Sequence, residues 1–222
     1  MRYLDLLTAL FATVLLVSNV PSTKLVVLGP FTFDGGTLLF PLAYIFGDVL
    51  TEVYGYRKSR RVIWIGFFAL LLATLTFQAV AHLPAPPDAE SQRFGEAFGL
   101  LLGLTPRIVL GSLLAYFLGE FANAYVLAKL KVRTEGRFFW LRALASTLVG
   151  QGLDTGVFLL VAFYGVFPKE VLLAVFLSNY AFKLGVEALM LPFTYAVVGF
   201  LKRAEGMDAY DRDTDFNPFR LT

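Results

Sequence analysis

The chain has 222 residues, 57% of them hydrophobic and only 16% charged, with a formal charge of +2 and a mean hydropathy of +0.68. Several apolar runs of membrane length in so short a chain describe one integral membrane unit and exclude a soluble domain. With no cysteine and one histidine, His82 in a Pro-rich loop, thiol chemistry, zinc or haem ligation and a Ser-His-Asp arrangement are excluded. The small charge leaves no basic patch for nucleic acid.

The first apolar run, Leu4 to Val20, is about long enough to span and lacks a strong small-x-small cleavage motif, so it reads as a retained helix and not a signal peptide. Pro21 to Gly36 follows, with Gly29-Pro30 and Asp34-Gly35-Gly36 around the apolar Leu25 to Leu28, and reads as a re-entrant or extended outer piece. The second and third spans are Leu38 to Tyr56 and Val62 to Ala81, and Pro41 is expected to kink the former. A Pro-rich loop with Asp88, Glu90 and Glu96 leads to Phe94 to Gly103, whose length suits an interfacial helix and not a seventh span. The remaining spans are Ile108 to Leu130, Phe138 to Val166 and Val171 to Leu201, the last kinked at Pro192. The row Gly111, Ala115 and Gly119 should let the fourth span pack closely on a neighbour, and it also leaves a homodimer open.

These six runs are too long and too uniformly apolar for tilted barrel strands, so the fold class is an all-α integral membrane bundle of six transmembrane helices in a lipid bilayer. Arg57, Lys58, Arg60 and Arg61 follow the second span, Lys129, Lys131, Arg133 and Arg137 the fourth, and Lys202 and Arg203 the sixth. The positive-inside rule then places both termini in the cytoplasm. Residues 1–203 form the six-helix membrane domain and 204–222 a short polar cytoplasmic tail. In that tail Asp211-Arg212-Asp213-Thr214-Asp215 imitates the opening of a calcium loop but lacks its Gly and distal Glu, so it reads as solvated and no metal site is expected.

The spans carry ionisable groups a bilayer does not tolerate freely. At 1.5 Å per residue Asp48 lies about 13 Å from Arg57 and Glu120 a similar distance from Lys129, while Asp154 is about 18 Å beyond Arg142 and Lys183 about 21 Å beyond Lys169. Four spans thus place an ionisable group near mid-membrane. Helical periodicity gathers them into stripes: Tyr44, Asp48, Thr51, Glu52 and Gly55; Tyr116, Glu120 and Asn123; Thr147, Gln151, Asp154 and Thr155; Asn179, Lys183 and Glu187. Exposed to lipid, Asp48, Glu52, Glu120, Asp154, Lys183 and Glu187 would cost on the order of 15 kcal/mol. That exceeds the usual net stability of a domain, about 5 to 15 kcal/mol, at its lower end and equals it at its upper end. They are therefore inward, paired, hydrated or protonated, with Lys183 and Glu187 an expected i, i+4 ion pair. Glu52 is close enough to the cytoplasmic face to serve as an anchor instead, and Asn19 and Lys24, toward the outer end, can form an outer gate or simply snorkel.

Acidic and amide side chains facing a dry cavity can read a planar polar heterocycle, because carboxylates accept N–H bonds and amides pair with carbonyl and ring nitrogen. A purine-like small molecule suits this chemistry, as do other solutes with amine or amide donors. The candidate binding residues are Asp48, Glu52, Glu120, Asn123, Gln151, Asp154, Asn179, Lys183 and Glu187. Nothing in the chain asks for a cofactor.

The run Gly47-Asp48-Val49-Leu50-Thr51-Glu52-Val53-Tyr54-Gly55-Tyr56 comes first among a set of motifs. It is followed by Arg142, Ser146-Thr147, Gln151, Asp154-Thr155, Asn179, Lys183 and Glu187. Tyr210-Asp211-Arg212 and Phe216-Asn217-Pro218-Phe219 close the set. Nearly end to end, the chain resembles the queuosine-precursor transporter family of small, vitamin-uptake-type inner-membrane proteins. The resemblance implies a multi-pass protein of the cytoplasmic (inner) cell membrane that is not an enzyme. It also implies import of 7-cyano-7-deazaguanine, with the 7-aminomethyl form an alternative that Glu120 and Asn123 would favour where the family commonly shows Gln-x-x-Asp. No Walker A sequence is present, so the chain is no ATPase itself. Proton coupling through Asp48, Asp154 or Glu187, facilitated entry and a borrowed external ATPase all stay open. Rival readings are a transporter or substrate-binding component for another heterocycle or vitamin, a scaffold, and an intramembrane carboxylate enzyme.

Overall fold

A computed structural model describes residues 1–28, 31–104 and 106–220. Its regular elements are mostly helical: α1 (Leu4–Asn19), a hairpin of β1 (Leu25–Leu28) and β2 (Phe31–Asp34), α2 (Phe40–Tyr54), α3 (Tyr56–Ala81), α4 (Ala89–Leu102), α5 (Pro106–Arg133), α6 (Phe139–Phe163) and α7 (Lys169–Glu205). The hairpin resolves the ambiguity of Pro21 to Gly36 toward extended chain, with Leu25 opposite Asp34 and Leu28 opposite Phe31. Gly29 and Pro30 lie outside the described residues.

Among the described residues, five helical segments are long and apolar enough to cross a membrane: Leu4–Thr23, Tyr56–Ala81, Pro106–Arg133, Phe139–Phe163 and Lys169–Glu205. The run expected as the second span falls short. Its helix α2 has 15 residues, about 22 Å at 1.5 Å per residue, against a hydrocarbon core of about 30 Å. Both ends are set locally. Pro41 sits at the helix start, where a missing N–H costs nothing, so it begins α2 and does not kink it. At the other end Gly55 adopts φ +82°, a conformation that favours glycine and that breaks α2 from α3. The short helix α4 is capped by Asp88, which accepts from the Ser91 amide at 2.8 Å, and buries none of its residues.

Within the bundle α2 is the most enclosed element, with Asp48, Val49, Leu50, Thr51, Glu52 and Val53 all at most 1% exposed, packed among α1, α3, α5 and α7. Helices α5 and α6 approach most closely. A Cβ on Gly119 would stand 3.0 Å from the Gly150 carbonyl oxygen and 2.8 Å from Asp154 Cβ, and one on Gly111 would meet the backbone of Ala162. The small-residue row is thus consumed inside the chain, so it is not a free face for a second copy.

The tail beyond α7, expected to be solvated, docks against the Arg-rich end. Asp211 accepts from the Tyr56 amide at 2.9 Å, occupying the first turn of α3. Arg60 donates to the carbonyls of Asp215 at 2.8 Å and Asn217 at 2.6 Å. Trp64 Nε1 donates to the Pro218 carbonyl at 2.8 Å, and Phe219 packs on Trp64 and Phe117. Phe216 lies against Tyr56 and Tyr125. The two chain ends meet at this face, where Glu205 accepts from the backbone amides of Arg2 at 3.0 Å and Tyr3 at 2.7 Å.

Candidate functional site

The ionisable side chains of the spans fall into three levels along the bundle. The first is the floor of a cavity of about 620 Å³ that reaches the end where α1 stops, α5 starts and α6 finishes. Asn19 of α1, Phe40 of α2, Ser112 and Tyr116 of α5, Asp154 and Thr155 of α6, and Asn179 and Lys183 of α7 line it. Lys183 Nζ donates to Asp154 Oδ2 at 3.1 Å and to Thr155 Oγ1 at 3.4 Å, and lies 5.2 Å from the centre of the Phe40 ring. The expected i, i+4 pair with Glu187 is replaced by this interhelical one. Helical side chains lean toward the helix N-terminus, which carries Lys183 away from Glu187 and across to α6.

One turn nearer the Arg-rich end is a fully buried polar layer. Asn123 Nδ2 donates to Asp48 Oδ1 at 2.8 Å. Glu187 and Glu120 are the acids that bear most on Asp48 electrostatically, and Glu120 Oε2 would stand 3.2 Å from a Cβ on Gly47. Thr147, Gln151 and Thr155 repeat every fourth residue on one buried face of α6. Helices α6 and α7 run antiparallel and Thr155 faces Lys183. A turn further along each therefore sets Gln151 level with Glu187. Among the described residues, the Tyr44 hydroxyl, Asp48 Oδ2, Asn123 Oδ1, Thr147 Oγ1, Gln151 Oε1 and both Glu187 oxygens are buried here without a hydrogen-bond partner.

The third level closes the Arg-rich end around Glu52, which is 1% exposed. Arg142 grips its carboxylate with two nitrogens at 2.7 and 3.2 Å, Lys202 donates at 2.7 Å and Lys131 stands at 3.5 Å. Asp208 of the tail joins through Lys131 and through Lys202 at 2.9 Å. Partial burial works to raise the Asp208 carboxyl, but hydrogen bonds and charge from Lys131 and Lys202 outweigh it and hold the group below its ordinary range.

Of the candidate residues, Asp154, Asn179 and Lys183 meet at the cavity, with Asn19 at its rim. Asp48, Glu120, Asn123, Gln151 and Glu187 form the layer beneath. Glu52 is apart from both, its oxygens taken by cations. Lys24 is exposed beside the hairpin and is not among the cavity-lining residues. Sequence reasoning used Lys131 and Lys202 as markers of span ends, and Arg142 as a depth reference for Asp154 and as one residue of the motif set. Their role as partners of a buried carboxylate was foreshadowed only by the cost of leaving Glu52 unpaired. Tyr116 appeared in a stripe, but its fixed orientation, with the hydroxyl donating to the Ile63 carbonyl at 2.9 Å, needs the folded neighbour.

Known proteins resemble this chain over most of its length. A family model described as putative vitamin uptake transporter matches residues 34–197. A Bacillus subtilis (strain 168) protein named probable queuosine precursor transporter is 36% identical over 188 residues, 84% of this chain and 80% of its own length. The Escherichia coli (strain K12) queuosine precursor transporter is 27% identical over 168 residues, 73% of this chain and 71% of its own. A Haemophilus influenzae protein (strain ATCC 51907 / DSM 11121 / KW20 / Rd) named probable queuosine precursor transporter is 26% identical over 166 residues, 73% of this chain and 67% of its own. No solved structure matches.

Proposed function

From its membership of the putative vitamin uptake transporter family, to which this chain belongs, we propose that it imports queuosine precursors, 7-deazaguanines, and reads them in the cavity floored by Asp154 and Lys183. As a multi-pass cell-membrane protein of a transporter family it is no enzyme. One observation carries the substrate reading. A carboxylate and an ammonium 3.1 Å apart stand with Asn179 at the floor of a cavity of about 620 Å³, within the 300 to 1,000 Å³ usual for small ligands. A deazaguanine offers adjacent N1–H and 2-amino donors, which one carboxylate accepts together, and an O6 acceptor, which an ammonium or amide serves. Phe40 and Tyr116 supply flat apolar walls for its faces. Of the two precursor forms, the neutral 7-cyano one suits this floor best, since Lys183 already balances Asp154 and a second cation would stand against it.

Meeting chain ends support an even number of crossings, because α1 starts where α7 finishes. Five qualifying helices together with the short buried α2 give six, and residues 1–203 act as one transport unit with 204–222 docked on it. The clustering of Arg and Lys at that end argues for both termini in the cytoplasm. The cavity then faces the outer side, as an importer awaiting substrate requires.

Equilibrium binding of 7-cyano-7-deazaguanine to purified protein in nanodiscs tests this, with guanine and the 7-aminomethyl analogue as competitors. Saturable binding is expected, weakened in Asp154→Asn and Lys183→Met by about 2 to 5 kcal/mol, the usual cost of removing one partner of a buried charged contact. No binding by folded protein, or binding indifferent to both substitutions, would overturn the assignment.

A further inference from the structure

The layer beneath the cavity has a chemical imbalance that the substrate reading leaves unused. Its buried unpartnered atoms are Asp48 Oδ2, Asn123 Oδ1, Thr147 Oγ1, Gln151 Oε1 and Glu187 Oε1 and Oε2, with the Tyr44 hydroxyl beside them; the Thr147 and Tyr44 hydroxyls can each donate one hydrogen, and the other five oxygens accept. Two belong to amides, and a buried amide oxygen left without a donor is costly. Asn123 spends its NH2 on Asp48 and so turns its own oxygen away unsatisfied. A layer that merely glued helices together would match donors to acceptors, as Tyr116 and Ile63 do.

Among the described residues, no cation answers this excess. On α7, Lys183 is held by Asp154 and Thr155 one turn away. On α6, Arg142 is bound to Glu52 at the other end of the bundle. On α5 the titratable neighbours are Glu120 and Tyr116, and on α2 they are Tyr44 and Glu52, none of them a cation. On α3 the buried Arg60 donates to tail carbonyls. On α1, the remaining helix packed on α2, no cation points inward.

We propose that this layer is a binding site for a small monovalent cation, a proton shared between Asp48 and Glu187 or a sodium ion held by their carboxylates with the oxygens of Asn123, Gln151 and Thr147, and that its occupancy drives uptake. The site lies between the cavity floor and the Glu52 cluster. Solute and cation therefore occupy neighbouring turns of the same helices: Lys183 and Glu187 on α7, Thr155 and Gln151 on α6. Binding one changes the charge that the other's helices must carry, which is the differential interaction that coupling requires. This deepens the transport reading and rests on it for its second half, while cation binding itself does not.

The test therefore has two parts, both on the intact protein. Infrared difference spectra are recorded without substrate as pH is stepped or sodium is added. Wild-type protein is expected to show a carboxyl band that responds to protons or to sodium, lost in Asp48→Asn and in Glu187→Gln. Proteoliposomes loaded with 7-cyano-7-deazaguanine then report exchange of labelled solute without gradients, and accumulation under an imposed proton or sodium gradient. A one-unit pH gradient sustains about a tenfold solute gradient if one proton accompanies each molecule. Accumulation driven by either gradient in wild type, with exchange but not accumulation surviving in Asp48→Asn and Glu187→Gln, supports the site and identifies the ion. No cation-responsive band in wild type overturns it whether or not any solute binds. Gradient-independent uptake, or variants that lose exchange together with accumulation, also overturns it, the latter by making these residues substrate contacts. Cation-dependent bands with no exchange in wild type would uphold the cation site and fail only the substrate assignment.

Discussion

Glu52→Gln removes one negative charge from a carboxylate that three cations share. Arg142 approaches at 2.7 Å, Lys202 at 2.7 Å and Lys131 at 3.5 Å, with Arg142 and Lys131 at most 1% exposed. At an effective dielectric of about 20, one contact at such a distance is worth about 6 kcal/mol before desolvation. The net cost of orphaning a buried partner is smaller, about 3 to 5 kcal/mol. A loss of that size is a large share of the roughly 5 to 15 kcal/mol that holds a domain together. Unfolding by heat or by a denaturing detergent can be followed through Trp64, which touches the docked tail, and Trp140, two residues from Arg142. Glu52→Gln should bring the transition forward strongly. Pairing it with Arg142→Gln should cost clearly less than the sum of the two single changes, because the second change removes the orphaned charge. A single-variant loss below about 1 kcal/mol, the range of exposed ion pairs, or strict additivity in the pair, would refute the view that this cluster closes the Arg-rich end.

Three more expectations concern packing and the tail. Gly119→Ala places a Cβ 2.8 Å from Asp154 Cβ and 3.0 Å from the Gly150 carbonyl oxygen, so it should force α5 and α6 apart at about 1 to 3 kcal/mol. Thermal unfolding would show it, and an unchanged transition would contradict the close approach. Asp211→Ala removes the acceptor at the start of α3 and should cost about 0.5 to 2 kcal/mol, read as faster proteolysis within 212–220. Asp208 is held below its ordinary range by Lys131 and Lys202, so its contribution is present above the unfolded carboxyl value and is lost as pH falls through the lower folded one. Tail protection from protease should therefore fall in acid, at roughly pH 4 and below. In Asp208→Asn the tail should be looser at neutral pH and the acid step smaller; an unchanged profile would remove Asp208 from the clamp.

Much of this arrangement was legible because lipid makes polar residues informative. The stripes on α2, α5, α6 and α7 point inward as their 3.6-residue spacing required, and Asp48, Glu120, Asn123, Gln151 and Glu187 are all at most 3% exposed. The close contact of Gly111 and Gly119 with a neighbouring helix was equally readable. Spacing could not tell which residues of different helices share a level, so Glu52 and Asp48, one turn apart, were grouped although one meets three cations and the other none. The length of α2 is not legible in the sequence, because apolar residues run on through Leu38 and Tyr56, whereas backbone geometry at Gly55 ends the helix between them. The tail was the largest surprise. Its charges suggested solvent, but its aromatic residues and carbonyls match Tyr56, Arg60 and Trp64 on α3, a complementarity between segments about 155 residues apart that no local pattern contains.

The pairing of Lys183 illustrates how the levels depend on one another. Within α7 it could have met Glu187, but an i, i+4 pair with the cation N-terminal is the weaker orientation, and such pairs contribute only about 0.2 to 0.5 kcal/mol. Reaching Asp154 and Thr155 instead neutralises the carboxylate at the cavity floor and leaves Glu187 with Asp48 in the layer below. Had Lys183 stayed with Glu187, the floor would carry a bare anion and the lower layer would have its cation. The choice of partner therefore sets a near-neutral surface toward the solute and an acceptor-rich one behind it. Lys183→Met should disturb both, leaving Asp154 uncompensated in the cavity and shifting the charge balance next to Glu187. Its effect on cation-responsive infrared bands should accordingly accompany its loss of solute binding. If the bands stay unchanged while binding is lost, the two layers are electrostatically independent.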